Sequence, residues 1–310
     1  MVMAQLVKKS LILLEVFRCM YELNREELRA VQLKSLEILL YFKSICEKEN
    51  LLFYFCGGCC IGALRHKGFI PWDDDIDVFM PRKDYEKLIK VWYKYANNDS
   101  YQIHRSGYTE GYEGGLFTSI YDNQTTFIKE ERKNLDINHG IALEILPLDG
   151  CPSSGFKRKK QIFWALIFSL YSAKQVPKNH GIIISIISKI CLILIPFKKS
   201  KEVIWKYAEK QMSKYKIDDC DYITELCAGP HYMKNRYPKK AFDKAVYIDF
   251  EGYKMPIPIG YDDYLKIAFG NYMTMPPIEK QEPHHFVEFC DVNSSYKKYK
   301  GIYYCKKERS

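Results

Sequence analysis

The chain has 310 residues, 47% of them hydrophobic and 27% charged, with 47 Lys and Arg against 38 Asp and Glu for a formal net charge of +9. That balance belongs to a globular protein with a substantial core, in one large domain or two small ones, and excludes a disordered chain. The positive excess calls for an anionic partner, whether a nucleotide, a phosphorylated glycan or an acidic membrane face; nucleic acid is set aside, because the basic residues fall in separate clusters without a zinc-finger or RNP-type signature.

In residues 1–50, Glu15 and Arg18 break the first apolar run, which lacks the pattern of a signal peptide. Leu28, Val31, Leu36, Ile38, Leu39 and Phe42 then recur at roughly helical spacing and predict an amphipathic helix lying on the domain. Residues 51–55 read as a strand, Gly57-Gly58 as a turn, 60–66 as a helix, 76–80 as a strand and 84–95 as a second helix. A glycine-rich polar stretch at 106–115 predicts a loop or hairpin, and 116–121 and 140–146 predict further strands. Helices and strands alternating around one sheet make this an α/β or α+β core.

The middle of the chain differs. Lys157-Arg158-Lys159-Lys160 precedes an apolar run at 162–171, and a second run at 181–197 ends in Lys198-Lys199-Ser200-Lys201. A spanning helix needs about 20 residues, and Lys189 at the centre of the second run costs about 2.5 to 3.5 kcal/mol on insertion, so no span is expected there. Basic clusters beside apolar helices suit either an anionic membrane surface or a helical pair buried on the domain. The resulting division is a helical segment at 1–50, a catalytic core at 51–150, a basic and apolar helical insertion at 151–215, and a C-terminal part at 216–310 that completes the site.

The 11 cysteines are odd in number and scattered, which suits reduced thiols in a cytoplasmic setting, at most at the inner face of the cell membrane, over a disulfide framework. Cys56 and Cys59 form a Cys-x-x-Cys without a matching second pair, too little for a zinc or redox motif, and burial is the default reading.

The chemistry concentrates between residues 57 and 77. Asp73-Asp74-Asp75-Ile76-Asp77 runs into an apolar strand, where side chains two apart share a face, so Asp75 and Asp77 project together. Two carboxylates so placed repel each other, and a divalent metal is the simplest explanation; oxygen-only ligands favour Mg2+, or Mn2+, over zinc. A calcium loop is excluded, since Val78 stands where glycine is required and Asp84 where glutamate is. A solvated acidic turn is disfavoured by the apolar residues around the acids. Gly57 and Gly58 let backbone approach a phosphate at the start of a helix. Arg65, His66 and Lys67 suit either phosphate binding or a helix C-terminus that favours cations. His284 and His285 are candidates for phosphate contact or proton transfer, and neighbours in an extended segment cannot both point inward.

The stretch from Phe55 to Leu88 resembles the LicD phosphocholine transferase family, and more distantly the fukutin-type glycan phosphotransferases. The resemblance rests on Gly57-Gly58, on Arg65-His66-Lys67-Gly68-Phe69-Ile70-Pro71-Trp72-Asp73-Asp74-Asp75-Ile76-Asp77, and on Arg82 with Asp84-Tyr85. It continues through Cys46-Glu47-Lys48, Ile145-Leu146-Pro147-Leu148-Asp149-Gly150, Gly270-Asn271-Tyr272-Met273, Pro276-Pro277 and His284-His285. It implies a nucleotidyltransferase-like mixed sheet with flanking helices and a third acid on a later strand, which falls on Glu144 where relatives usually carry aspartate. Asp75, Asp77 and Glu144 would then be the catalytic and metal-binding residues, with Glu144 completing the metal site or accepting a proton.

Gly57, Gly58 and Cys59 would cradle the donor phosphate; Cys59 replaces a hydroxyl residue usual in relatives, and Ser119 and Tyr121 replace basic ones. The implied reaction moves phosphocholine, or a ribitol, glycerol or ethanolamine equivalent, from a CDP-alcohol such as CDP-choline to a glycan or glycolipid hydroxyl and releases CMP. Choline requires aromatic faces, for which Trp72 is the best-placed candidate among 25 Tyr, 17 Phe and 4 Trp. Nucleotidyl transfer releasing pyrophosphate, or a non-catalytic membrane-surface scaffold, are the alternatives.

Overall fold

The structure, a computed structural model, describes residues 23–110, 114–173, 182–195, 197–283 and 285–306. The early apolar run broken by Glu15 and Arg18 lies outside these residues. Helix α1 (Arg25–Lys48) opens on a capping box, in which Asn24 accepts from the Glu27 amide at 3.0 Å and Glu27 accepts from the Asn24 amide at 2.9 Å. Such a cap is worth about 1 kcal/mol, and it explains why the helix starts abruptly in a polar stretch.

A short β1 (Tyr54–Phe55) leads into α2 (Gly57–His66), followed by β2 (Ile76–Pro81) and α3 (Arg82–Tyr95). Then come β3 (Tyr101–His104), β4 (Thr118–Asp122), β5 (Thr126–Lys129) and the long β6 (Ala142–Cys151). Two expectations shift. The Gly57-Gly58 pair is the first turn of α2 rather than a turn before it, with Cys56 extended as the cap and Gly57 at φ +48°, a conformation glycine tolerates. Strand β6 runs through Pro147 to Cys151, because its far half pairs with a strand distant in sequence, β7 (Tyr222–Glu225).

The main sheet runs β1-β2-β6-β4-β3, with β7 on β6 and β8 (Tyr237–Pro238) on β7; β2 and β6 are parallel and the other pairs antiparallel. This is a mixed α/β fold. Register divides the sheet into two faces. Ile76, Leu143, Ile120 and Ile103 stand in one row, all fully buried, on the side where Tyr41 of α1 stacks on Tyr101 at 4.6 Å. One residue along, the row on the opposite face is Asp77, Glu144, Ser119 and His104. The same period that builds the core therefore lines the acids up.

Two motif residues have a structural role. Arg82 donates to both oxygens of the fully buried Asp149, at 2.8 and 2.7 Å, tying the start of α3 to β6. A second core is built by α4 (Gly155–Ala173) and α6 (Lys198–Met212) around Phe168, Trp205 and Met212, with Leu226 and Met233 from the C-terminal part. The apolar run at 181–197 contributes α5 (Ile182–Leu194), and among the described residues no helix is long and apolar enough to cross a membrane. The C-terminal part adds the hairpin β9 (Ala245–Phe250) and β10 (Tyr253–Pro258), helix α7 (Tyr261–Phe269), and β11 (Val287–Asp291), which pairs antiparallel with β5.

Candidate active site

The acids gather where α2 begins. Asp73–Asp75 precede β2 in irregular backbone, so strict alternation does not govern them, and Asp74 turns inward as well. Burial, and then the charges of Asp75 and Asp74, push the Asp73 carboxyl well above its ordinary range, and Asp73 shares a hydrogen bond with Asp75. Burial followed by the charges of Asp75, Glu144 and Asp73 does the same to Asp77. The Oδ1 of Asp77 is buried and has no hydrogen-bond partner among the described residues. Carboxylates that raise one another in this way are destabilised as anions and favour a divalent cation among them.

Helix α2 sits directly on this cluster. A Cβ on Gly58 would lie 2.4 Å from Asp73 Oδ2, so glycine is required for the acid to reach the helix N-terminus, where the dipole favours a negative charge. The Gly57 amide donates to the Tyr264 hydroxyl at 2.9 Å. Cys59 Sγ accepts from the Asp77 amide at 3.4 Å, and burial pushes the thiols of Cys56 and Cys59 up, away from the reactive thiolate form. Of the three residues read as a phosphate cradle, two thus have groups engaged inside the protein.

Arg65, His66 and Lys67 do not join the cluster. They end α2, roughly 12 Å along its axis from Gly57 at 1.5 Å per residue. Arg65 donates to the Tyr272 and Thr274 carbonyls at 3.3 and 3.2 Å, fastening the Gly270-Asn271-Tyr272-Met273 segment. Burial lowers the His66 imidazole, and Lys67 is the exposed left-handed C-cap at φ 57°. Arg65 and Lys67 are placed as cations at a helix C-terminus are. Trp72 is half-buried against the main core.

His285 does point into the site; His284 lies outside the described residues. His285 Nδ1 is 3.0 Å from Asp74 Oδ1, and its amide donates to Asp74 Oδ2 at 3.2 Å. Its Nε2 is 2.8 Å from Lys129 Nζ, and Lys129 is 3.7 Å from Glu144 Oε1. A carboxylate can only accept and an ammonium only donate, so these partners place the imidazole proton on Nδ1. Lys129 was not singled out from sequence. It ends β5, and the β5–β11 ladder sets it opposite Val287, two residues from His285.

Among the described residues, the donor atoms drawn within 4.8 Å of one another are those of Asp74, Asp75 and His285 rather than of Asp75, Asp77 and Glu144. The contacts accompany this grouping: Lys129 reaches both Glu144 and His285, and His285 fastens Asp74 beside Asp75. A cleft beside these groups is lined by Tyr121, Phe127, Lys129, Glu144 and His285. Tyr121 and Phe127 are aromatic residues of its wall, and Trp72 does not line it.

Residues 50–140, which carry α2 and the acidic run, match the family description "LicD/FKTN/FKRP, nucleotidyltransferase domain". The chain is also 31% identical over 269 residues to the lipopolysaccharide cholinephosphotransferase LicD of Haemophilus influenzae, covering 84% of this chain and 97% of that protein. The chain belongs to the LicD family. An uncharacterised Rickettsia prowazekii protein is 30% identical over 96 residues, 31% of this chain and 33% of that one. As a LicD-type enzyme, the chain carries its acidic run inside the matched domain, whereas Glu144 and His285 lie beyond residue 140 and are brought to the run by β6 and β11.

Proposed function

We propose that this enzyme transfers phosphocholine, or a related phospho-alcohol, from a CDP-activated donor to a hydroxyl of a cell-surface glycan, releasing CMP, and that it requires Mg2+ or Mn2+. The observation that carries the reading is a buried cluster of mutually destabilised carboxylates in a chain that spans 97% of a lipopolysaccharide cholinephosphotransferase. Asp75 and Asp77 would hold the ion, with Glu144 completing the oxygen set. The fit is supported by the buried Oδ1 of Asp77, which has no hydrogen-bond partner among the described residues. When bound, such an ion neutralises the diphosphate and stabilises the departing CMP.

The protein's own groups supply the rest. Lys129, on the cleft wall, donates to the oxygens of the transferred phosphoryl group. Release of Lys129 toward the phosphate frees His285 Nε2, whose orientation Asp74 fixes, to take the proton of the acceptor hydroxyl. The hydroxyl oxygen forms the new bond to phosphorus, the bond from phosphorus to the CMP oxygen breaks, and that oxygen leaves with the electron pair. Tyr121 and Phe127 offer faces to a quaternary ammonium, which cannot donate a hydrogen bond.

The test is CMP release from CDP-choline, with label appearing in a lipopolysaccharide acceptor, measured with Mg2+ and with EDTA. Turnover should require the ion and vanish in Asp75→Ala and Asp77→Ala while far-UV circular dichroism is unchanged. Full activity of the doubly substituted protein would refute the site. Pyrophosphate released from CTP would replace the reading with nucleotidyl transfer, and absence of any Mg2+-dependent affinity for cytidine diphosphates would leave a scaffold.

A further inference from the structure

The net charge of the chain is confined to one part of it. Residues 155–214 hold thirteen Lys and Arg against two acids, Glu202 and Glu209, so the rest of a chain whose total is +9 has no positive excess at all. Of those two acids, Glu209 turns inward to Arg82 and Arg105, at 3.3 and 3.1 Å, and Glu202 is paired with Lys206 at 2.6 Å. Arg158 is also turned inward, donating to Thr224 at 2.8 Å and Asn235 at 3.2 Å. Among the described residues of this stretch, the charge that remains on the surface is lysine.

The same helices expose large apolar side chains. Along α4 the buried stripe is Arg158, Gln161, Ala165 and Phe168, and the opposite stripe is Phe156, Lys159, Lys160, Phe163 and Leu166. Phe156 is 79% exposed and Phe163 53%; on and just before α6, Phe197 is 73%, Val203 68% and Tyr207 53% exposed. Trp164 makes edge contacts with both Phe163 and Tyr207, at 5.2 and 5.3 Å, which joins the outer faces of α4 and α6 into one patch. A solvated helix face does not place such residues in water without a partner.

We propose that this face of α4 and α6 docks on an anionic lipid bilayer, with the apolar side chains entering the headgroup boundary and the lysines on the lipid phosphates. Charge complementarity selects that occupant: lysines and exposed aromatic and aliphatic residues on amphipathic helices satisfy both parts of an anionic interface. A second copy of the chain is disfavoured, because a self-paired patch would press like charges together. The docking does not depend on the reaction proposed above.

The experiment is co-sedimentation of the full chain with phosphatidylcholine vesicles, with and without phosphatidylglycerol, in the absence of donor and metal, so that its outcome is separate from any failure of the transferase reading. The protein should pellet with the anionic vesicles, remain in solution with the neutral ones, and be released by salt. Lys159→Glu/Lys160→Glu should weaken binding about fivefold for each charge removed. Phe163→Ser/Val203→Ser should weaken it roughly tenfold or more. These positions are exposed, and unchanged thermal midpoints would verify folding; in the unsubstituted protein, a blue shift of tryptophan fluorescence with anionic vesicles alone reports the same contact. Failure to pellet with anionic vesicles, equal binding to neutral ones, or a dimer broken by Phe163→Ser/Val203→Ser would overturn the proposal. Binding to a soluble polyanion that leaves vesicles untouched would overturn it equally.

Discussion

Glu225 provides a sharp test of the packing beneath the site. It ends β7, is 4% exposed, and accepts a hydrogen bond from the Tyr237 hydroxyl, which in turn accepts from Asn235 Nδ2 at 3.0 Å. Burial pushes its carboxyl from 4.5 up to about 7, against the lowering effect of the Tyr237 hydrogen bond. A raised carboxyl pKa means that the folded state binds a proton more tightly than the unfolded one. The associated stability is complete below about pH 4.5 and is lost as pH rises through about 7. At about 1.4 kcal/mol per unit, that is on the order of 3 kcal/mol.

Glu225→Gln keeps the shape and the acceptor oxygen but carries no charge. Its thermal midpoint should match that of the parent near pH 4.5 and exceed it near pH 8 by on the order of 5 °C, once this energy is spread over a chain of this size. Thermal unfolding of both proteins across that range, followed by circular dichroism, measures the difference directly. Parallel curves would refute the claim that Glu225 is held neutral by burial.

Two further outcomes follow from the site. Gly58→Ala would place a methyl group 2.4 Å from Asp73 Oδ2, so the carboxyl must rotate out of its position; turnover should fall on the order of 100-fold, while urea midpoints move little. Lys129→Met should remove about two to three orders of magnitude from kcat/KM, as loss of one charge-stabilising donor does elsewhere, with Lys129→Arg recovering part of it. An unaffected Lys129→Met enzyme would show that the phosphate is held by other groups.

The sequence by itself determined the acidic run, its embedding in apolar residues, the glycine pair before it and the alternation of helix and strand. These are local properties: period two on β2 sets Asp77 and Ile76 on opposite faces, and only glycine permits the close approach of α2 to Asp73. The length of the run at 181–197 and Lys189 within it argued against a membrane span, and among the described residues no helix is long and apolar enough to cross a membrane. Short-range pattern failed where backbone left regular structure. Asp74 lies in irregular chain before β2, so alternation could not reveal that it turns inward to hold His285.

Only the tertiary structure decided which basic side chains stand beside the acids. Arg65, His66 and Lys67 lie just before the acids in sequence, yet they stand at the far end of a ten-residue helix whose start meets the acids. Lys129 and His285 are separated by 156 residues and meet because β11 pairs with β5, a ladder of backbone hydrogen bonds that no side-chain pattern announces. The parallel pairing of β2 with β6 likewise sets Glu144 directly across from Asp77, and the packing of α4 on α6 decides which of their faces is core and which is left to an outside surface. Contacts within a helix or strand are written in residue spacing; contacts between distant strands are fixed only when the sheet assembles, and it is these that turn a run of acids into a site.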